Sequence, residues 1–482
     1  MTTNPDRSRP RNPDRSRPRN LDRSGPPIAS AEVRDLIANT LDIERGEVTP
    51  ELRLHDLPEW SSLDHVTLMM ALEDRFDCAI EGPLIGELTC VEAIEAFLLD
   101  EKGLDETALD GPVIHRGLDG VYVDESTICS IDGEQGELLV RGYPIEDIAA
   151  HSGFEEVCHL VVWDERPSEE KLVAFREQLA EGAAIADPVA TTVESMADQH
   201  PMVVLRTAVS MLGTSGPGTR PTAEAAREKG LAVLALVPSI LATHHAARLG
   251  RPRPDGCPEG ASLAERFLRQ FFDRDPSAIE VEALDLVLRV QVEHGSNASA
   301  FAARVTAATG ADVVAGLVSG VSTFAGPLHG GAVEGFIDVL DEVGELEAAR
   351  AYVMAKRAAR EPVPGFGHRV YKTTDPRSQP LRSTAERLAA DRGDRRTLEV
   401  IAAIEQAMAP YQRHGLHMNI DAYTAVVYRL LGFPDDYFSA LYAMARMAGW
   451  VGHIAEQIDR NVLIRPRLAY RGPARRSMLV VS

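Results

Sequence analysis

The 482-residue chain is expected to be mainly α. Apolar residues recur at three- and four-residue spacing in segment after segment, whereas strand-like alternation occurs in one short stretch. Aromatic residues make up only 5% of a composition rich in Ala, Leu and Val, which suits helices packed on helices. The apolar share of 44% supplies a sizeable core, and the length calls for more than one domain.

The chain opens on a repeat. "NPDRSRPR" occurs twice and then decays into "NLDRSGPP". It has no apolar face to bury, so residues 1–27 are expected to be a solvated, disordered tail. The repeated Asp argues against a targeting helix. Residues 28–105 carry five Lys/Arg against nineteen Asp/Glu, a net charge of −14. Val33, Leu36, Ile37 and Leu41 fall at helical spacing, as do Leu63, Val66 and Met70, and then Val91, Ile94 and Leu98. Thr89 and Glu92 make a capping-box pattern ahead of the last group. A small acidic helical bundle is expected, followed by a linker over 106–112 within "EKGLDETALDGP".

From 113 to 482 the texture changes. "STICSIDGEQGELLVRGYP" alternates around Gly-bearing turns and predicts a short hairpin. Helical patterns follow, among them "FEEVCHLVV", "EKLVAFREQLAEGAA" and "LAVLALVPSILATHHAARL". "RLGRPRPDGCPEGAS" is a loop by its Pro and Gly content.

A net charge of −23 argues against nucleic acid as the main partner. No stretch approaches eighteen uninterrupted apolar residues, so no membrane span is expected. Five scattered cysteines (Cys78, Cys90, Cys129, Cys158, Cys257) without a CxxC pattern read as buried thiols in a reducing compartment, here the cytoplasm.

Four positions carry chemistry: His294 in "VEHGSNAS", His329 in "GPLHGGA", His368 in "GFGHRVYKTTDPR" and Asp421 in "HMNIDAY". Singly, each has a plainer reading as a helix cap or a satisfied core residue. Together they suggest a reaction, because neutral imidazoles donate to developing oxyanions and a carboxylate removes a proton beside a carbonyl. Arg377, Arg446 and Arg465 are candidates to grip carboxylates, although surface ion pairs are the commoner use of arginine. Lys372 alone reads as a solvated lysine. With no HExxH and no i,i+4 His pair, an organic mechanism without metal is favoured.

These segments reach a resemblance. "GLDGVYVDESTICSIDGEQGELLVRGYPIEDIAAHSGFEEV" resembles the opening of short bacterial-type citrate and 2-methylcitrate synthases. "EHGSNASAFAARV", "GPLHGGA", "GFGHRVYKTTDPR", "MNIDAYTAVVYRLLG", "ARMAGWVGHIAEQ" and "RPRLAYRGP" follow in that family's order. The resemblance implies a large and a small helical domain, the small one over about 334–434, in a homodimer. It implies an acyltransferase condensing an acyl thioester, such as a coenzyme A ester, with oxaloacetate or a similar 2-oxo acid. His329 would hydrogen-bond the thioester oxygen, Asp421 would take the α-proton, and His368 would polarise the keto group. His294, Arg377 and Arg446 would hold carboxylates, Arg465 would enter from the second subunit, and Lys372 would lie near the CoA phosphates.

The chain departs from that pattern at Val333, where Asn is usual, and at Glu293-His294-Gly295, where the family reads Asp-His-Glu. Val203 ends "HPMV" where Asp is usual, and Thr424-Ala425 replaces a Ser-Gly pair. These changes bear on the acyl donor and the pocket shape.

"RLHDLPEWSSLDHVTLMMALEDRF" resembles an acyl carrier protein around its modified serine. In register, the resemblance implies Ser62 as the site of 4′-phosphopantetheine attachment, with Ser61 where Asp is usual. A helix N-terminus suits the added phosphodiester, and a plain N-cap is the alternative reading. The resemblance implies a phosphopantetheinyl transferase and acyl-loading enzymes as partners. The competing reading for the whole chain is a silent synthase-like scaffold with a working carrier domain.

Overall fold

The computed structural model describes residues 30–99 and 115–475, apart from 55, 58, 61, 77, 79, 81, 119, 214–220, 255–257, 259, 360, 369 and 474. The tail expected over 1–27 and the linker expected over 106–112 lie outside the described residues. The chain divides into two compact units, up to residue 107 and from 108 onward.

The first unit holds α1 (Ser30–Leu41), α2 (Ser62–Phe76), α3 (Gly82–Glu87) and α4 (Val91–Leu99). Their apolar stripes close on one core that includes Ile37, Leu41, Leu68, Leu72, Ile85, Ile94, Leu98 and the fully buried Trp60. The Trp60 indole N–H donates to His65 Nδ1 at 3.2 Å. With Nδ1 accepting, the neutral ring keeps its proton on Nε2 and donates to the Ile85 carbonyl at 2.9 Å, pinning α3 to α2. The Glu95 carboxylate takes a two-pronged bond from Arg34, 2.5 and 2.8 Å, which fastens α4 to α1. The capping box expected at Thr89 gives way to a one-sided cap one residue later. Cys90 pairs in extended geometry with Arg53, so the helix starts after it, and Cys90 Sγ accepts the N–H of Ala93 at 3.4 Å.

The second unit begins with an antiparallel sheet in the order β1 (Cys129–Asp132), β2 (Glu137–Val140) and β3 (Tyr143–Pro144). Cys129 lies opposite Val140, and Leu139 opposite Pro144. The sequence predicted a hairpin only. The third strand exists because Arg141 and Gly142, at φ of +50° and +81°, turn the chain straight back along β2.

Helices follow: α5 (Ile145–His151), α6 (Phe154–Trp163), α7 (Glu169–Glu181), α8 (Asp187–Ser195), α9 (Pro201–Ser210) and α10 (Ala223–Arg248). Next come α11 (Leu263–Phe272), α12 (Ala278–Gln291), α13 (Ala298–Ala308), α14 (Val313–Phe324) and α15 (Ala332–Val343). The last are α16 (Ala349–Ala358), α17 (Ser378–Arg392), α18 (Arg396–Met408), α19 (Ile420–Leu431) and α20 (Phe438–Asp459). α10 is long and apolar enough to cross a membrane by length and composition, yet its residues are mostly buried among neighbouring helices.

α20 is buried on every side from Phe438 to Ala455 and forms the centre of this unit. It packs on α6, α10, α12, α13, α14 and α15. A polar tie joins three elements at one of its ends. His200 caps α9 and reaches Glu334 of α15 at 3.3 Å, while the same carboxylate accepts the N–H of Ser439 at 3.1 Å. The hydrogen bond to Glu334 raises the pKa of His200 above the ordinary imidazole value.

Candidate active site

The site is assembled around the bend between α12 and α13. Gly295, at φ +60°, lets the chain reverse, and Asn297 caps α13 by accepting the N–H groups of Ser299 and Ala300, each at 3.1 Å. One face of α20 holds this bend at several points. Arg446 Nε donates to the Gln291 carbonyl at 2.8 Å, the Trp450 indole donates to Ser299 Oγ at 3.0 Å, and His453 lies 3.0 Å from Glu293. Positions 446, 450 and 453 are one and two turns apart, so all three point the same way. Gly449 lies between them, and a Cβ there would sit 2.3 Å from the Val292 carbonyl oxygen, so any side chain would force the helix off the bend.

Glu293 and His453 are both buried, and the pair is extended by Arg304, whose Nε donates to His453 Nδ1 at 2.9 Å. With that nitrogen accepting, His453 donates through Nε2 to Glu293. Burial opposes the Glu293 charge, yet His453 and Arg446 hold its carboxyl below the usual range.

His329 lies on the turn between α14 and α15. Gly330 follows it because a Cβ would fall 2.0 Å from the Phe324 ring. The Ser299 N–H donates to His329 Nε2 at 3.3 Å, and Ser299 Oγ lies 2.8 Å from the same nitrogen. Asn297 Oδ1 also lies 3.2 Å from this nitrogen but already accepts from the Ser299 N–H, the Ser299 O–H and the Ala300 N–H. The backbone N–H can only donate, so it decides, and the neutral ring carries its proton on Nδ1. Burial, aided by Arg446, lowers the His329 pKa to about 4. The ring is a neutral donor at neutral pH.

His368 and Asp421 are brought together by their backbones. Gly367 N–H donates to the His417 carbonyl at 2.8 Å, and Asn419 N–H to the Gly365 carbonyl at 2.9 Å, around a bridge between Phe366 and Met418. Gly365 adopts φ +82° and packs so closely on Phe336 that a Cβ would approach its ring to 2.4 Å. Asn419 caps α19 by accepting the Asp421 N–H at 3.1 Å, which sets Asp421 on the first turn. His368 Nδ1 accepts the N–H groups of Val370 and Tyr371, each at 3.0 Å, so its proton is on Nε2. Burial and then Arg377 lower its pKa to about 4, against the pull of Asp375.

Asp421 is half-buried, and loss of water around the carboxylate lifts its pKa to about 6. Arg377 and Arg446 act to lower it and Asp375 to raise it. His294 is buried beside them, its ring 5.3 Å from that of His368, and burial followed by Arg377 holds it well below the usual imidazole pKa. Arg377 is gripped by Asp375 through Nε at 2.9 Å and Nη2 at 2.6 Å, while its Nη1 is buried without a partner. Such a donor is free for an incoming carboxylate.

The candidate atoms of His294, His368 and Asp375 lie within 4.8 Å of one another, close enough for a metal ion. The chemistry does not fit one. Asp375 spends both oxygens on Arg377, and the guanidinium groups of Arg377 and Arg446 repel a cation.

Six of the residues singled out in the sequence therefore share one neighbourhood: His294, His329, His368, Arg377, Asp421 and Arg446. Lys372 is exposed and near enough to act on His368. Arg465 lies exposed on the segment after α20 and makes none of these contacts. Ser62 starts α2, and its side chain lies outside the described residues. The sequence reading missed Asp375, Tyr371, Asn297, Ser299 and Trp450. Only the "SNAS" N-cap pattern signalled any of them. Val333, Thr424 and Ala425 are fully buried, and Thr424 Oγ1 accepts from the Gln291 side chain at 2.8 Å. Those departures are accommodated in the core rather than at an open pocket wall.

Comparison with known proteins agrees with this geometry. The family model described as "Citrate synthase, C-terminal domain" matches residues 117–467. Citrate synthase 2 of Bacillus subtilis is 37% identical over 373 residues, covering 76% of this chain and 98% of that protein. A 2-methylcitrate synthase of Mycobacterium tuberculosis is 34% identical over 398 residues, covering 82% and 98%. Among solved structures, citrate synthase of Thermoplasma acidophilum, in a ternary complex with carboxymethyl coenzyme A and oxaloacetate, matches with a TM-score of 0.72 at 28% identity, covering 77% and 99%. That of Thermotoga maritima matches with a TM-score of 0.69 at 30% identity, covering 76% and 98%. The chain belongs to the citrate synthase family and is a citrate synthase-type acyltransferase.

Proposed function

We propose that this protein condenses an acyl-CoA, acetyl or a close homologue, with oxaloacetate or a similar 2-oxo acid to give a citrate-like product and free thiol. One observation carries the reading: two neutral imidazoles with opposite tautomers, fixed by backbone N–H groups, stand with one elevated carboxylate and two guanidinium groups in a single cluster. A weak carbon acid needs a base on one side and a donor on its oxygen. Asp421 takes the α-proton while His329 Nδ1–H donates to the thioester oxygen. The resulting carbon nucleophile attacks the keto carbon, and His368 Nε2–H passes its proton to the forming alkoxide. Water then cleaves the thioester to a carboxylate and free thiol, and the proton taken by Asp421 is passed back to His368 to restore both groups. His294, Arg446 and the free Nη1 of Arg377 hold the acceptor's carboxylates, Lys372 serves the CoA phosphates, and Arg465 comes from a second copy in a cytoplasmic homodimer.

Thiol release should be measured with acetyl- and propionyl-CoA plus oxaloacetate. Wild type is expected to turn over well above Asp421→Ala, and equal rates would sink the reading. One methylene separates the two donors, so a difference of roughly 10–200-fold between them is the most their binding can produce.

The rate should also follow pH. A carboxyl is a base only when ionised, and Asp421 ionises around 6. kcat/KM is expected to rise through about pH 6 and fall tenfold per unit below it, checked by initial rates in constant ionic strength.

Residues 28–105 are read as an acyl carrier domain bearing 4′-phosphopantetheine on Ser62, loaded by partner enzymes. Tethering would raise the donor's local concentration at the synthase site. Intact mass after treatment with a phosphopantetheinyl transferase tests the attachment, with Ser62→Ala as control. Single-turnover transfer from the loaded chain to oxaloacetate tests delivery.

A further inference from the structure

Tyr371 is an ordinary-looking residue between two that the mechanism uses. It is 1% exposed and contributes no surface. Its ring forms a triangle with two imidazoles: 4.8 Å to His368, 5.5 Å to His294, with 5.3 Å between those two. Its backbone N–H donates to His368 Nδ1 at 3.0 Å, and its hydroxyl lies 3.3 Å from His294 Nε2.

We propose that Tyr371 is the positioning residue of the acceptor half of the site, setting the tautomers of both His368 and His294. Through its backbone it helps keep the His368 proton on Nε2, where the keto oxygen needs a donor. Through its hydroxyl it donates to His294 Nε2, which leaves the His294 proton on Nδ1 and fixes the ring's orientation. The phenol is held protonated by burial, so it remains a donor across the working pH range. The surrounding charges are Arg377, Asp375 and Glu146, together with the thiol of Cys129, and among the described residues none of these four hydrogen-bonds the hydroxyl. This inference rests on the reading of His294 and His368 as the acceptor-binding pair.

Tyr371→Phe removes the hydroxyl and nothing else, because the ring and the backbone N–H remain. In the full chain the KM for oxaloacetate is expected to rise about tenfold, the magnitude of one lost buried hydrogen bond of ~1–2 kcal/mol. The KM for acetyl-CoA should stay within about twofold. Thermal unfolding should shift by only a few degrees. An unchanged oxaloacetate KM, or equal rises for both substrates, would overturn the proposal. A second readout does not depend on turnover: ring-nitrogen NMR of 15N-histidine-labelled protein. His294 Nε2 is expected to be unprotonated and hydrogen-bonded in wild type, and to shift in Tyr371→Phe. A protonated Nε2 in wild type, or no shift in the variant, would also overturn it. If wild type shows no synthase activity but the nitrogen resonance moves as described, the proposed function fails and the role of Tyr371 in setting His294 stands.

Discussion

Asp421→Asn should lower kcat about a thousandfold and at the same time raise the melting temperature. The first effect follows because the amide cannot accept the α-proton. The second follows from the carboxylate's surroundings. Its pKa moves from an ordinary 3.8 to about 6, so the folded protein resists ionising it. The sign is the reverse of a salt-bridged acid. Stability is highest while the group is protonated in both states, falls as pH rises between the two values, and stays lowered above about 6. At pH 7 the ionised group therefore costs about 3 kcal/mol, and a neutral amide of the same shape relieves most of it. A variant that is nearly inactive yet melts several degrees higher separates a catalytic base from a structural acid. Loss of activity with loss of stability would instead mark Asp421 as a scaffold residue.

Arg377→Met should be damaging in both respects. Asp375 and Arg377 are each at most 3% exposed, and two direct bonds join their side chains. Removing the cation strands a buried carboxylate, a change that costs about 3–5 kcal/mol. It also removes the unpartnered Nη1 donor that the proposed function assigns to the substrate. Oxaloacetate should no longer saturate at millimolar concentration. Adding Asp375→Asn in the same chain removes the stranded charge while leaving an acceptor for the N–H of residue 377. Stability in denaturant should largely return in the double variant, and the KM should not. Recovery of both would show that Arg377 acts only as Asp375's partner.

The groups proposed to react were legible because each stands on an unusual local sequence. His329 precedes two glycines, His368 follows one, and Asp421 lies two residues after an Asn at a helix start. The conformations those glycines permit are the ones the site uses. The supporting residues were not legible, for a physical reason. Trp450 and Ser299 are 151 positions apart, and Glu293 and His453 are 160 apart, so nothing local in either segment announces the pairing. Tyr371 and Asp375 sat inside a noticed segment, but side-chain orientation decides their roles. The helical fold was readable from periodicity. The third strand was not, since it depends on two consecutive left-handed residues, one of them an arginine.

The face of α20 that touches the α12–α13 bend works as a gauge with fixed graduations. Each added residue in an α-helix turns everything after it by about 100°. A single-residue insertion between 446 and 450 would leave Arg446 on its carbonyl but swing the indole and the imidazole beyond it away from their partners. Substitutions can be absorbed one at a time along this stretch, but a change in length cannot, so homologous proteins that share the bend should keep the interval from 446 to 453 unbroken.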